Sequence, residues 1–327
     1  MVRIAALLIV VLAAVIVLLA WVLSTLLGQQ VLGAVLPAIA LLIGLMLVTR
    51  LIRGIGGAAA PLGDLVEASG RVESGEMGAQ VEVRGPREIR ALARAFNSMS
   101  ARLAEQTDER RRFLADVSHE LRTPLTVIQG SVEGMLDGLY PTDRAQLERL
   151  LAETRQLERL VEDLRTLSLT DAGALDLRRE PVDLGHLVAD VVAGFEPQAT
   201  AAGHDLAVEA ADVPTIDLDP RRVRQVLGNL LSNALRHTPP GGSVRVRVDA
   251  DAGGVVLEVT DTGPGMDAEA AERAFDRFWR AGEGSGAGLG LAIVRDLVRA
   301  HGGDVTLDTA PRAGTSVRCH FPRSADR

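Results

Sequence analysis

Phe113-Leu-Ala-Asp-Val-Ser-His119-Glu120-Leu-Arg-Thr123-Pro124-Leu125 decides how this chain reads. Phe113, Val117 and Leu121 recur every four residues, so the segment is an amphipathic helix with one face committed to packing. His119 stands between polar Ser118 and Glu120, which directs the imidazole to solvent rather than into that seam. A lone helical histidine is ordinarily structural or simply exposed; here Glu120 can hold its tautomer and accept its proton. The other ring nitrogen is then free to attack a phosphorus. Thr123 lies one turn further along the same face. Its hydroxyl can position a water, or make only a local hydrogen bond before the proline. Pro124 lacks the amide that would bond the preceding turn and is expected to bend the helix just past His119.

Outward from this stretch, a second helix from about Thr142 to Thr170 carries Leu147, Leu150, Thr154, Leu157, Val161 and Leu164 at heptad spacing. The two helices predict an antiparallel hairpin over 107–172, and two hairpins make a dimeric four-helix bundle. Upstream, 50–106 reads as two amphipathic helices. Pro61-Leu62-Gly-Asp-Leu65 opens the first, with Leu62, Leu65 and Val72 on one side. A glycine-rich, strand-like connector, Gly75 to Val83, leads to the second, which carries Ile89, Leu92, Phe96, Met99 and Leu103 in a heptad seam that needs a partner.

Ile4 to Val48 is almost uninterrupted hydrocarbon. As one helix it would run roughly 65 Å, about twice a bilayer core, so it is expected to turn around at Gly28-Gln29-Gln30. That gives two transmembrane spans, 4–27 and 31–49, in a hairpin domain over 1–49. Arg3 precedes the first span while Arg50 and Arg53 follow the second, which places both termini in the cytoplasm by the positive-inside rule. A cleaved signal peptide fits less well, because the first run is too long and a second follows at once. So tight a turn cannot enclose a soluble ligand, since a folded sensing segment needs roughly 50 residues. The expected stimulus is therefore membrane lipid, a membrane partner protein or an intramembrane compound.

Beyond about residue 176 the pattern changes to helices alternating with short β-runs such as Ser243–Val248 and Val255–Thr260, an α/β domain over 176–325. Asp219 to His237 reads as one helix with Val223, Val226, Leu227, Leu230, Leu231 and Ala234 on its buried side. Asn229 and Asn233 are four apart and share a face; their amides are either satisfied core groups or oxygen donors for a phosphate-bound Mg²⁺. Asp261, ending a β-run before Thr-Gly263-Pro-Gly265, can accept a hydrogen bond from an adenine amino group while the glycines admit the base. Gly284-Ser-Gly286-Ala-Gly288-Leu289-Gly290 leads into the helix Leu291–Ala300, whose N-terminal amides suit a polyphosphate.

Composition bounds the remaining choices. With 47% apolar and 24% charged residues the chain must bury cores. A net charge of −8 with no basic stripe argues against nucleic acid as a partner. All 35 basic residues are arginine, a compositional bias without mechanistic weight. The single Cys319 cannot form an intramolecular disulfide and reads as a small strand filler.

Taken in order, segment 113–125, the Asn229–His237 helix, Asp261–Gly265, Phe275-Asp-Arg-Phe278 and Gly284–Gly290 resemble the H, N, G1, F and G2 boxes of two-component sensor histidine kinases. The 50–106 segment, with Glu88 and Phe96-Asn97-Ser-Met99, resembles their HAMP linker. The resemblance implies a multidomain homodimer: two transmembrane helices, HAMP linker, phosphoacceptor hairpin, and an α/β sandwich of the Bergerat type shared with DNA gyrase and MutL. It implies that His119 is phosphorylated from Mg²⁺-ATP with Glu120 as base, and that Thr123 acts in the reverse, phosphatase reaction. Asn233 is the implied principal Mg²⁺ ligand with Asn229 beside it, and Asp261 the adenine reader. Gly263, Gly265, Gly286, Gly288, Leu289 and Gly290 line the nucleotide, and Arg236 stands where many relatives have lysine. The implied partner is the receiver domain of a cytoplasmic response regulator, and the implied location the bacterial inner or plasma membrane. Two other readings are an enzyme working mainly as a phosphatase of its regulator and a non-catalytic ATP-binding scaffold. Intact His119, Glu120, Asn233 and loop glycines count against the scaffold.

Overall fold

The computed structural model describes residues 11, 14–19, 21–23, 25, 30–211, 213–251, 253–280 and 287–323. They fall into two compact units, Met1–Arg112 and Phe113–Arg327.

In the first unit, α1 (Gln30–Glu73) is one helix with Pro37 and Pro61 inside it. Pro61 therefore does not open a new helix as its position suggested. It costs one backbone bond, and the preceding Ala58-Ala59-Ala60 run is as helix-favouring as sequence allows. The expected span 31–49 lies within α1, where Leu41, Leu42, Leu45 and Met46 are exposed; most of 4–27 lies outside the described residues. Among the described residues, no helix is long and apolar enough to cross a membrane.

α2 (Arg87–Leu136) begins in this unit. Its Ala93 and Phe96 pack with Leu65, Ala68 and Val81 in a small core edged by Val72. The connector forms no strand. Asn97 takes that role, donating Nδ2–H to the Val81 carbonyl and accepting the Val81 amide at Oδ1, each at 2.9 Å. Of the expected seam, Phe96 alone is buried within the single chain, while Leu92 and Met99 are each 51% exposed.

In the second unit the remainder of α2 and α3 (Arg144–Asp171) make the hairpin. α2 is continuous through Pro124. α3 starts two residues later than its pattern suggested, because Asp143 is the N-cap, its Oδ1 accepting the Gln146 amide at 2.8 Å. The heptad set is not what the chain itself buries. Leu147 and Val161 are exposed, whereas Leu160 and Leu167 pack into the core of the α/β domain. The end of α3 thus serves two partners, and a single heptad cannot encode both.

The domain contains β1 (Glu180–Val182), α4 (Leu184–Ala202), β2 (Asp205–Ala210), β3 (Ile216–Leu218), α5 (Pro220–His237), β4 (Ser243–Ala250), β5 (Gly254–Asp261), α6 (Ala268–Arg273), α7 (Gly290–Ala300), β6 (Asp304–Thr309) and β7 (Thr315–Pro322). Its main sheet runs β2-β4-β5-β7-β6, parallel only at β2–β4, with β1–β3 a separate antiparallel pair. Period-two patterning explains why one face is covered: Val244, Val246 and Val248 are buried while Arg245 and Arg247 stay in water. Helices α4, α5 and α7 pack on the sheet and on one another. Cys319 is fully buried in β7, the filler its position suggested.

Where α3 meets α5, burial pushes the Asp163 carboxyl up to about 6, opposed by a hydrogen bond from Gln225, added to by Glu162 and opposed by Arg159. The folded pKa lies above the ordinary 3.8, so the folded state binds the extra proton in that window. Stability therefore falls as pH rises from 3.8 to about 6, and the cost is complete above it. Asp163→Asn is expected to raise stability by about 1–2 kcal/mol at about pH 8 and by almost nothing at about pH 4. Urea unfolding midpoints at the two pH values check it.

Candidate nucleotide and phosphoacceptor site

The nucleotide-type loops are placed by α5, β5 and α7. Asp219 caps α5: its Oδ1 accepts the Arg221 and Arg222 amides at 3.0 and 3.2 Å, and Pro220 follows at the first turn. Its Oδ2 accepts the Arg178 amide at 3.0 Å, and its own amide donates to His301 Nε2 at 3.1 Å. With the helix start fixed, Asn229 and Asn233 are set one turn apart, both half-buried. Asn229 donates Nδ2–H to the Gly290 carbonyl at 3.4 Å, tying α5 to the first residue of α7. Arg236 lies exposed in the last turn of α5.

Asp261 ends β5, and its Oδ1 accepts the Gly263 amide at 2.8 Å. Desolvation of this half-buried carboxyl raises its pKa, opposed by the Gly263 amide, His237 and the Thr315 backbone. Gly265 has φ +65°, and a Cβ there would overlap the Ala310 carbonyl. Gly288 has φ +66°, and its Cβ would fall 2.7 Å from the Trp279 carbonyl oxygen. Its own carbonyl accepts the Phe278 amide at 3.0 Å, which joins the described segment ending at residue 280 to the one beginning at 287. Phe278 itself adopts φ +60°, a strained value for an aromatic residue. The side chain of Leu289 is in the hydrophobic core, so only its backbone can face a ligand. Gly286 lies outside the described residues.

On the hairpin, His119 is exposed and lines an open recess with Arg122, Thr123, Thr126 and Val127. Thr123 donates its hydroxyl to the His119 carbonyl at 3.2 Å, so the local bond is present. Thr123 still lies in the same recess as the histidine. Glu120 is half-buried, with Arg280 Nη2 3.9 Å from its Oε1. Sequence reasoning missed Arg280 and the neighbouring Arg277. Arg277 lies inside the Phe275–Phe278 run already singled out, whereas Arg280 lies two residues beyond it, and neither residue's partner is visible from that run.

These residues fit a magnesium nucleotide. Two neutral amide oxygens on one face leave the phosphates as the anionic share of a magnesium shell. Leu289 provides no side-chain cap, so among the described residues no side-chain hydrogen bond is made to the first amides of α7. Glycine at 265 and 288 is required by the loops' own packing, since a Cβ there would meet the Ala310 and Trp279 carbonyls.

A mixed-sheet nucleotide-binding domain joined to a helical hairpin with an exposed histidine and an adjoining carboxylate defines a phosphoacceptor-type signalling protein. Residues 218–325 match the family "Histidine kinase-, DNA gyrase B-, and HSP90-like ATPase", 109–173 the "His Kinase A (phospho-acceptor) domain" and 55–105 the "HAMP domain". The signal transduction histidine-protein kinase BaeS of Escherichia coli K12 is 34% identical over 295 residues, covering 88% of this chain and 62% of BaeS. The structure of the histidine kinase AdeS of Acinetobacter baumannii is 30% identical with a TM-score of 0.56, covering 63% of this chain and 98% of that one. The histidine kinase ThkA, solved in complex with the response regulator protein TrrA, shares the fold at 24% identity and TM-score 0.54, covering 68% of this chain and 64% of that one. The chain belongs to the two-component sensor histidine kinases. It spans less than two thirds of the length of the curated relatives it matches.

Proposed function

We propose that the protein is a homodimeric, membrane-bound sensor kinase that moves the γ-phosphoryl of ATP to His119 and then to an aspartate on the receiver domain of a response regulator. The observation that carries this reading is an exposed histidine beside a carboxylate in the same chain as the Asn229, Asp261 and Gly288 loops. In this mechanism Glu120 takes the proton from one ring nitrogen of His119 while the other attacks the γ-phosphorus in line with the departing ADP. Asp261 accepts the adenine amino group, and the α7 amides with Arg236 hold the phosphates. Asn233 and Asn229 would hold a Mg²⁺ ion, which would supply neutralisation of phosphate charge. Docking of the α/β domain onto the hairpin aligns the two halves.

The membrane reading is supported by the hydropathy of 4–27 and 31–49 and by the HAMP match, with both ends cytoplasmic. Its stimulus is then lipid or a membrane partner protein, transmitted by repacking of the linker helices. Exposed Leu92, Met99, Leu147 and Val161 are the positions a second copy would cover.

One observation favours an additional phosphatase activity: Thr123 and His119 share a recess open to a partner. Thr123→Ala is expected to preserve self-phosphorylation and to slow dephosphorylation of the regulator by about tenfold or more. Release of phosphate from a phosphorylated receiver domain measures it, and an unchanged rate returns Thr123 to its local hydrogen bond. Incubation with labelled ATP separates the kinase from a non-catalytic scaffold, which would bind nucleotide without acquiring label.

A further inference from the structure

Arg277 makes contacts that nucleotide binding does not require. Its two terminal nitrogens meet the two carboxylate oxygens of Asp171, the last residue of α3, at 2.6 Å each. The same guanidinium reaches Asp296 on α7 at 3.2 Å and lies over the Phe113 ring, 5.9 Å from its centroid. Phe113 also meets Phe278 with ring centroids 5.7 Å apart. One side chain thus joins both helices of the hairpin to the helix that leaves the nucleotide loop. Bidentate carboxylate geometry with an aromatic ring beside it is what an arginine supports and a lysine does not.

In this pose the carboxylate proposed as base is engaged while the histidine, among the described residues, is not. The Glu120 carboxylate faces Arg280, three residues after Arg277. The recess beside His119 is lined, among the described residues, by α2 alone. The histidine is therefore open to a partner protein while the carboxylate proposed to take its proton faces a guanidinium.

We propose that Arg277 is a positioning residue whose pairing with Asp171 parks the α/β domain on the hairpin, withholding the nucleotide from His119 while leaving His119 open to a partner. The clasp opens before the γ-phosphoryl can be transferred, so its strength sets the fraction of molecules competent for self-phosphorylation. The side chain of Asp171 is 55% exposed and that of Arg277 27%, so solvent weakens the pair. Its loss therefore shifts the population several-fold rather than by orders of magnitude.

The proposal rests on His119 as phosphoacceptor, and the test keeps the two apart. Initial rates of acid-labile phosphate formation and the KM for ATP are measured on the purified full-length chain, its His119→Gln variant, Asp171→Asn, Arg277→Gln and the swap Asp171→Arg with Arg277→Asp. Asp171→Asn and Arg277→Gln are expected to raise the rate about three- to tenfold with KM unchanged, and the swap to return it toward the parent. A lower or unchanged rate in Asp171→Asn, or a swap no closer to the parent than the single variants, overturns the clasp. Asp171 sits at an exposed helix end, so its variant decides the matter even if Arg277→Gln fails to fold. Acid-labile phosphate persisting in His119→Gln overturns the acceptor reading instead.

Discussion

Asn233→Asp is expected to lose nucleotide binding and phosphoryl transfer together, each by a factor of about a hundred or more. The change is nearly isosteric, so the fold of α5 should survive it. Val226, Leu227, Leu230 and Leu231 on the buried face of that helix are untouched. The variant adds a negative charge where phosphates must sit, and it alters the magnesium shell that a neutral amide oxygen would complete. Titration with a fluorescent ATP analogue, alongside unfolding curves matching the parent's, measures the effect. Retained tight binding with normal transfer would remove Asn233 from the metal's surroundings.

The second large effect separates the two halves of the chemistry. His119→Gln is expected to bind ATP as the parent does and to form no phosphohistidine, a loss of at least about a thousandfold in rate. His119 is exposed on α2, whereas Asp261, Asn229 and Gly290 are fixed by α5, β5 and α7. Removing the imidazole therefore leaves the nucleotide loops intact. Glutamine keeps a polar helix-compatible side chain, so loss of activity cannot be assigned to a broken hairpin.

Much of this architecture is legible in the sequence because its signals are local. The capped start of α5, the Asp261 turn and the glycines before α7 each lie within a few residues of the group they position. The α2–α3 hairpin follows from two heptad patterns. What escaped the reading depends on partners distant in sequence. Asn97 replaces a strand by bonding Val81, 16 residues away. Leu160 and Leu167 look like bundle positions out of register until the α/β core is placed against them. The Arg277–Asp171 pair spans 106 residues, and nothing in either neighbourhood announces the other. Pro61 misled for the opposite reason, since a strong local signal for a helix start was outweighed by the helix already running through it.

The most direct test of the account is to locate the phosphate. The full-length chain is incubated in parallel with ATP labelled at the α- or the γ-phosphorus, then digested under alkaline conditions, and the labelled peptide is sequenced. The account predicts label from the γ-position alone, lost on acid treatment and carried by the peptide containing His119. Acid-stable label, label from the α-position, or label on a peptide without His119 would contradict it.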